Sequence, residues 1–350
     1  MSIESRIEER KKRWASLYIP EGKKRKFVYI VDCPSSIAVG GVPLWREYKQ
    51  ERIEVAWRGY LAGREHVEQV DDDFIPFLNC VSGTEIFAEA FGCRVFRPTD
   101  NMPFAIPFVK SPSDAEKVKL PKLEDSPLML QFEIADELVR RAGKDALLGL
   151  PDMQSPMDIV AQMWDKTDLF ASMIEEPEAV KELAEKAKTL QEQFLDEWFR
   201  RYGKEFIAHH PSYYMPCGIT MSVDEIGSVS PAMFEEFFRD ELNELSDRYG
   251  GIGIHSCSDS VHQWENLAKV RNLRLLNLYR PQEVIDRAYE FFSPICAHWH
   301  GALVNNLGAP LRQQRAEAYP EGCRAVLREW APSVEAAGER CRALAEMIRV

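Results

Sequence analysis

The stretch Gly251-Ile252-Gly253-Ile254-His255-Ser256-Cys257-Ser258-Asp259 is the part of this sequence from which the fold and the chemistry are interpreted. Its short apolar run predicts a buried strand that ends in a histidine and a cysteine two positions apart. Because side chains alternate faces along a strand, His255 and Cys257 are expected to project from the same side. An imidazole nitrogen and a thiolate aimed at one point are donors that suit Zn²⁺. The alternative is a core cysteine and a histidine that only caps a turn.

Seven further strand-like runs surround this one, and helical patterns separate most of them. The eight runs are 26–34, 73–80, 146–152, 214–220, 251–257, 273–279, 295–301 and 323–330. Alternation of this kind predicts an α/β fold with a parallel sheet and right-handed crossovers, and eight such units close into a (β/α)₈ TIM-type barrel. An open doubly wound sheet is the alternative, but no Gly-x-Gly-x-x-Gly or phosphate-loop motif follows any of the runs.

The domain organisation predicted from the sequence is a helical extension followed by one barrel. Residues 2–18 have the apolar spacing of an amphipathic helix, so residues 1–25 are expected to form an N-terminal helical extension and residues 26–350 a single barrel domain. A stretch rich in proline and aromatic residues, 93–109, continues into the polar stretch 110–127. It is longer than an ordinary connection, which predicts either a lid or a hairpin inserted at the rim.

Charge and composition exclude several classes of protein. The formal net charge is −12 over 350 residues, which argues against a nucleic-acid-binding surface because phosphates need clustered Lys and Arg. No apolar run is long enough to span a bilayer, and the charged N-terminus is unlike a signal peptide, so we expect no membrane association and a cytoplasmic location. Eight cysteines are too few for a disulfide scaffold in a chain of this length.

Polar residues at the predicted strand ends form a second set of candidates, because barrel active sites lie where the strands end. The pooled residues are Asp32, Cys33, Asn79, Cys80, Asp152, Asp224, Glu225, His255, Cys257, Asn277, Tyr279, His298, His300 and Glu329. A core of Val, Ile and Leu requires none of them. The pooled set therefore predicts a site at this end of the barrel.

The segment Cys296-x-His298-x-His300 carries a third pattern. Period-2 spacing places all three side chains on one face, two strands after the one that carries His255 and Cys257. Either histidine is then able to complete a three-ligand site with an open fourth position, as in catalytic zinc sites. The alternative is that Cys296 belongs to the core and the two histidines bind the substrate by hydrogen bonds.

Two stretches together resemble a known family. They are Asp224-Glu225-Ile226-Gly227-Ser228, continuing into Ser230-Pro231-x-Met233-Phe234-Glu235-Glu236-Phe237, and Ile254-His255-Ser256-Cys257 about twenty residues later. This combination resembles the uroporphyrinogen decarboxylase-like superfamily, and most of all its branch of zinc methyltransferases that work with corrinoid proteins. Residues 151–177 also fit the middle of that family. The resemblance implies a (β/α)₈ barrel.

The resemblance also implies a metal site. In the methyltransferase branch a His-x-Cys pair holds zinc, which here falls on His255 and Cys257. That branch usually has another Cys after the last strand, whereas this chain has Glu329-Trp330-Ala331 at that place, and Ser258 replaces a common Gly. The third ligand is therefore expected from His300, with His298, Cys296 and Glu329 as the other candidates.

The implied activity is exchange of a methyl group between a small substrate and a corrinoid. The substrate is a thiol, a methoxy aromatic or a methylamine, and the corrinoid (cobalamin) is expected on a partner protein because the chain has no Asp-x-His-x-x-Gly motif. Asp224 and Tyr279 are the expected catalytic residues. The residues expected to bind the substrate are Asn79, Tyr214, His298 and Trp299. A homodimer is considered possible.

Two other functions stay open. One is decarboxylation of a carboxylated tetrapyrrole, but the decarboxylases carry an Arg-rich motif after the first strand where this chain has Pro43-Leu44-Trp45-Arg46-Glu47-Tyr48. A multiply anionic substrate needs several bidentate Arg contacts, so we rank this activity second. The other is a barrel that binds a ligand without catalysis.

Overall fold

The computed structural model describes residues 2–41, 48–98, 101–301 and 316–348, without the side chains of residues 299–301, 347 and 348. The strands in these ranges are β1 (Lys26–Asp32), β2 (Phe77–Asn79), β3 (Arg94–Phe96), β4 (Phe104–Ile106), β5 (Leu147–Gly149), β6 (Phe206–Ile207), β7 (Tyr214–Met215), β8 (Ile219–Ser222), β9 (Ile252–Ser256), β10 (Leu273–Leu278), β11 (Ala297–Gly301) and β12 (Arg324–Trp330). The α-helices are α1 (Ile3–Leu17), α2 (Lys49–Gln69), α3 (Ile86–Ala90), α4 (Pro112–Lys117), α5 (Met129–Ala142), α6 (Pro156–Met163), α7 (Lys166–Glu175), α8 (Pro177–Tyr202), α9 (Pro231–Phe237), α10 (Arg239–Tyr249), α11 (Trp264–Leu267), α12 (Gln282–Phe292) and α13 (Val334–Ile348).

Eight parallel strands form the barrel. Six of them make one sheet in the order β1-β12-β11-β10-β9-β8, and β2 pairs with β5 in parallel. A parallel bridge between Gln154 and Ser222 connects the chain after β5 to β8, and the backbone N–H of Asp73, ahead of β2, donates to the carbonyl of Tyr29 in β1. The circle is thereby β1-β2-β5-β8-β9-β10-β11-β12, which confirms the predicted (β/α)₈ barrel.

The fourth barrel strand differs from the run predicted at 214–220. Residues 214–215 are β7, the returning strand of a hairpin with β6, and the barrel strand β8 begins only at Ile219. Gly218 makes the turn between them with a φ of +92°, and a Cβ at this position would lie 2.6 Å from the carbonyl oxygen of Gly251. An apolar run alone does not reveal such a reversal, because periodicity is the same on both sides of the glycine.

Several helices begin with serine followed by proline, which fixes where the helices around the site start. Ser111, Ser155 and Ser230 are N-caps, and each side chain accepts a hydrogen bond from the backbone N–H three residues later. Proline then occupies the first helical position, where its missing N–H costs no helical hydrogen bond. Helix α9 begins in this way at Ser230-Pro231, and the separate helix α10 follows it.

The helix predicted near the N-terminus is α1, and it packs on the barrel. Trp14 is 1% exposed, its indole Nε1–H donates to the carbonyl of Asp73 at 2.8 Å, and its ring lies 5.2 Å from that of Tyr213. Arg10 is equally buried and donates to the carbonyl of Phe74 at 2.6 Å. The helix therefore shares its buried residues with the barrel core.

The stretch rich in proline and aromatic residues contains a short hairpin. Strands β3 and β4 pair antiparallel, with Arg94 opposite Ile106 and Phe96 opposite Phe104. Phe96 and Phe104 are exposed, and their rings lie 5.3 Å apart. Of the two alternatives predicted for this stretch, a lid and a hairpin, the structure contains the hairpin. In the ranges that the structure describes, every helix is too short or too polar to cross a membrane.

Candidate functional site at the barrel mouth

The end of β9 brings the predicted donor pair together. His255 Nε2 lies 3.0 Å from the sulfur of Cys257, where His255 is 5% exposed and Cys257 is open to solvent. The other ring nitrogen, Nδ1, is hydrogen-bonded to the side-chain oxygen of Asn277 on the neighbouring strand β10. Because an amide oxygen only accepts, Nδ1 carries the proton and Nε2 turns its lone pair toward the cysteine.

Asp224 holds the backbone that carries the cysteine. Its Oδ1 accepts a hydrogen bond from the backbone N–H of Cys257 at 2.6 Å. Burial raises the pKa of Asp224, and the hydrogen bond from Cys257 partly offsets this effect. Burial together with the charges of Asp224 and Asp152 raises the pKa of the Cys257 thiol to about 11. The structure thus places Asp224 at the cysteine, and its contact is with the main chain.

The buried carboxyl group of Asp158 holds the backbone of Asp224 by hydrogen bonds. Asp158, at the start of α6, accepts hydrogen bonds from the backbone N–H groups of Asp224 at 3.1 Å and Glu225 at 2.8 Å, and from the Ser155 hydroxyl at 2.6 Å. Burial, with a smaller contribution from the charge of Asp224, raises the pKa of Asp158 to about 7. The turn after β8 is therefore anchored to the helix after β5.

Two further histidines, which no predicted strand end included, lie beside His255 and Asp152. His209 and His210 lie in the connection between β6 and β7, and the ring of His210 packs edge-on against that of His255 with centroids 4.4 Å apart. His209 Nε2 lies 2.8 Å from Asp152 Oδ2, and the other oxygen of Asp152 accepts from the Gln154 amide at 2.5 Å. The available signal was the sequence His-His-Pro just ahead of the predicted fourth strand.

Charge pairing and burial shift the pKa values of Asp152 and the three histidines in opposite directions. Burial alone raises the pKa of Asp152, but His209 outweighs it and the pKa is below its ordinary value. The pKa of His209 is correspondingly raised, since Asp152 outweighs burial. Burial, followed by the charge of His255, lowers the pKa of His210 to about 4, and burial also lowers the pKa of His255. Both imidazoles are therefore neutral near pH 7.

A guanidinium lies on the inner face of the barrel near these histidines. Arg328 of β12 binds the carboxylate of Asp32 in β1 through two hydrogen bonds, of 2.6 and 2.9 Å. Burial lowers the pKa of Arg328 but Asp32 outweighs it, and the positive charge of Arg328 adds to the lowering of the His210 pKa. The mouth thus holds a fixed cation whose carboxylate partner is already in place.

Three of the candidates for the third metal ligand lie away from this cluster. His298 is opposite Leu276 in the register of β11 and β10, and its ring packs against Tyr289 and Phe292 in the layer between the sheet and α12. Burial lowers the pKa of His298 to about 3. Cys296 is fully buried, and Glu329 is bound by Arg340 of α13. The physical reason is strand alternation, which turns these side chains toward the helices.

The remaining predicted residues are placed as follows. Asn79 is the last residue of β2 and Tyr279 follows β10, both at the barrel mouth, and both are exposed. Tyr214 is buried and its ring lies 6.0 Å from the ammonium of Lys11 in α1, so the structure does not bring it to His255 and Cys257. Trp299 and His300 belong to β11, but their side chains lie outside the described residues.

The donor set at the mouth is one of nitrogen, sulfur and oxygen. His255 and Cys257 converge, and His210 contacts His255. The negative charges of Asp224 and Asp152 act on the Cys257 thiol. Within the part of the chain that the structure describes, no group of three or more His, Cys, Asp and Glu side chains has the arrangement of a metal site. The arrangement thus supplies two converging donors, and a complete coordination sphere needs one more residue.

Comparison with known proteins gives a family and a fold. A family model described as Uroporphyrinogen decarboxylase (URO-D) matches residues 77–278, a range that contains Asp152, His209, Asp224, His255 and Cys257. A solved structure described as a methyltransferase from Methanosarcina mazei is similar, with a TM-score of 0.64 and 13% sequence identity over 97% of this chain and 98% of that one. The search of curated proteins finds no match.

Proposed function

This chain belongs to the uroporphyrinogen decarboxylase family, and we propose that it is a zinc-dependent methyltransferase that exchanges a methyl group between a small substrate and a corrinoid on a partner protein. The family match confirms the resemblance in the sequence. The likeness to a methyltransferase structure over nearly the whole chain is in keeping with the proposal at the level of the fold. The observation that carries the proposal is the convergence of His255 Nε2 and the Cys257 sulfur, 3.0 Å apart.

The donor pair fits zinc in three respects. Nitrogen and sulfur are the donors of a borderline-soft ion. Asn277 fixes the imidazole tautomer that leaves Nε2 free to coordinate, as the outer partners of metal-bound histidines do. Asp224 fixes the main chain of Cys257, and its negative charge favours a cation beside the thiol.

Two residues are candidates for the third protein ligand. His210 is one, because its ring packs edge-on against that of His255 and burial keeps it in the neutral form that coordinates metals, but its ring would have to turn to bring a nitrogen to the donor pair. His300, the ligand expected from the sequence, lies on β11 with a side chain outside the described residues. We exclude His298, Cys296 and Glu329 as ligands, because their side chains pack toward the helices.

A bound zinc would supply Lewis acidity, lowering the pKa of a substrate thiol or improving the leaving group of a methylated substrate. The residues of the chain then have separate tasks. Asn277 and Asp224 hold His255 and Cys257 in place. Asn79, Tyr279 and Trp299 are proposed to contact the substrate from the rim. Of the two predicted catalytic residues, Asp224 acts as a positioning residue, because its contact is with the Cys257 backbone.

The methyl carrier is proposed to arrive on another protein. The chain has no corrinoid-binding Asp-x-His-x-x-Gly motif, so a corrinoid needs a second protein that presents it at the barrel mouth. The exposure of Cys257, Asn79 and Tyr279 leaves that end accessible in the described residues. Homodimer formation stays a prediction.

Decarboxylation of a carboxylated tetrapyrrole is less well supported by the geometry. Such a substrate needs several free guanidinium groups, but Arg328 at the mouth is already bound through both nitrogens to Asp32. Arg46, from the segment that replaces the Arg-rich motif, lies outside the described residues. A barrel that binds a ligand without catalysis would neither convert cob(I)alamin nor release CO₂.

The direct experiment is a spectroscopic assay with cob(I)alamin under anaerobic conditions. The zinc-supplemented protein is offered methoxy aromatics, methylamines and methylated thiols, and conversion of cob(I)alamin to methylcobalamin is followed by absorbance. We expect conversion with one of these donor classes, retained in Cys217→Ser and abolished in Cys257→Ser. No conversion in either direction with any class, together with CO₂ release from a carboxylated pyrrole, would overturn the proposal in favour of decarboxylation.

A further inference from the structure

A cysteine, a histidine and an aspartate are aligned on the outer side of the barrel, between β1 and α2. Cys33 directly follows β1, His66 is in the last turn of α2, and Asp72 precedes β2. The Cys33 sulfur lies 3.8 Å from His66 Nδ1, and His66 Nε2 lies 2.9 Å from Asp72 Oδ2. Because Asp32 faces Arg328 inside the barrel, strand alternation turns the next residue, Cys33, to the opposite side.

The carboxylate of Asp72 is rigidly held. Asp72 is fully buried and accepts hydrogen bonds from the backbone N–H groups of Val31 and Phe74, both at 3.0 Å. The guanidinium of Arg10 lies 3.3 Å from Asp72 Oδ1, the oxygen that does not bind His66. The Oδ2 of this carboxylate accepts the Nε2–H of His66. The imidazole is thereby fixed in the tautomer whose Nδ1 lone pair faces the thiol.

The alignment opens into a cavity of about 190 Å³ between β1 and α2. Helix α2 lines the cavity with the small residues Gly59, Ala62 and Gly63, and with the polar side chains of Glu65, His66 and Gln69. Among the described residues that line the cavity, Glu65 is acidic, Asp32 is acidic but paired with Arg328, and none is Lys or Arg. Small uncharged molecules are therefore favoured over anions in this cavity.

We propose that Cys33, His66 and Asp72 form a second reactive centre, in which the Cys33 sulfur takes an acyl group from a small uncharged ester or thioester. A thiol, a base within reach of it, and a carboxylate that orients the base are the parts of a nucleophilic catalytic site. The function proposed for the barrel mouth uses none of these three residues.

The reaction balances without a redox step. The Cys33 sulfur forms a bond to the acyl carbon, the thiol proton passes to His66 Nδ1, and the bond from the acyl carbon to the leaving oxygen or sulfur breaks. His66 then returns the proton to the leaving group. Burial and the charges of Asp72, Asp32 and Glu65 raise the pKa of the Cys33 thiol, so the sulfur keeps its proton until His66 removes it during the attack.

The test is the acetylation of individual cysteines by p-nitrophenyl acetate, followed by peptide mass spectrometry of the full-length protein. Cys217 is the internal control, since it is also partly buried. We expect Cys33 to be acetylated about 10-fold or more faster than Cys217, and His66→Gln to remove that advantage without changing the rate at Cys217. Equal rates at the two cysteines, or an unchanged Cys33 rate in His66→Gln, would overturn the proposal.

A second labelling experiment separates the predicted site from simple exposure and from misfolding. Iodoacetamide is uncharged and iodoacetate is anionic, so the acidic cavity should favour iodoacetamide at Cys33 more than at Cys217. Glu65→Gln should narrow that preference while leaving His66 and Asp72 in place. The same preference at both cysteines in the wild-type protein would contradict the cavity assignment. Circular dichroism of each variant shows that the fold is retained.

Discussion

Asp224 Oδ1 accepts a hydrogen bond from the backbone N–H of Cys257 at 2.6 Å, although the two residues follow different barrel strands. The bond joins the end of β8 to the end of β9, and Asp158 holds the Asp224 backbone in turn. The position of the cysteine is therefore set by a chain of contacts that begins at α6. Its predicted effect on the proposed metal site is indirect, through the geometry of the main chain.

Replacing Asp224 tests this relationship. Asp224→Ala removes the acceptor and should weaken zinc binding about 10- to 100-fold, which is the usual effect of losing an outer partner. Asp224→Asn keeps an oxygen in the same place and should retain most of the affinity. Glu225→Gln is the matched control, because Glu225 pairs with Lys166 at the surface. Competition with a chromophoric chelator measures the affinities, and equal affinity in Asp224→Ala and the wild type would contradict the assignment.

Asn277 is predicted to fix the imidazole of His255. The residue is 1% exposed and its oxygen binds Nδ1. Asn277→Leu should release the ring and weaken zinc binding about 10-fold or more while it leaves Cys257 in place. Leu278→Met, on the same strand but facing the helices, serves as the control for changes in β10. An affinity loss of the same size in both variants would show a general effect on the strand.

His298 should be dispensable for metal binding. Its ring is buried against Tyr289 and Phe292, and its Nε2 has no hydrogen-bond partner within the described residues. His298→Leu should change the free energy of unfolding by only about 1 kcal/mol, since it removes an unsatisfied buried nitrogen as well as a packed ring. Leu276→Ala in the same layer should cost about 2–5 kcal/mol. Urea unfolding and zinc content measure the two effects, and loss of zinc in His298→Leu would contradict the placement.

The buried carboxyl of Asp158 should make stability depend on pH. Its pKa rises from an ordinary 3.8 to about 7 on folding, so between these values the folded state holds a proton that the unfolded chain releases. The stabilising contribution is complete below pH 3.8 and is lost as the pH rises through 7. In urea unfolding, the wild type should lose on the order of 2 kcal/mol more than Asp158→Asn between pH 5 and pH 8. Parallel pH profiles for the two proteins would contradict a raised pKa.

The fold was predictable because its signals are local. Seven of the eight predicted runs contain a barrel strand, since a short apolar run between helices is enough to identify one. The exception is the run 214–220, where Gly218 reverses the chain after the hairpin strand β7 and the barrel strand starts at Ile219. That reversal depends on the close approach of Gly218 to Gly251, a contact that no single stretch of sequence reveals.

The site was predictable only in part, for a geometric reason. Alternation places Cys296 and His298 on one face of β11, but the register with β10 decides which face that is, and it turns out to be the helix side. His209 and His210 reach the mouth through a hairpin whose pairing with β5 is a long-range event. The His-x-Cys pair was found because its two residues share one strand end and need no other element to converge.

The zinc content of the purified protein tests the central claim most directly, measured in the wild type, His255→Ala, Cys257→Ser and His210→Ala. We predict about one zinc per chain in the wild type, lost in the first two variants, and a reduced affinity in the third because His210 is the proposed third ligand. Cys217→Ser, as the matched cysteine control, should keep its zinc. A wild-type protein that takes up no zinc from metal-supplemented, chelator-free buffer would contradict the account.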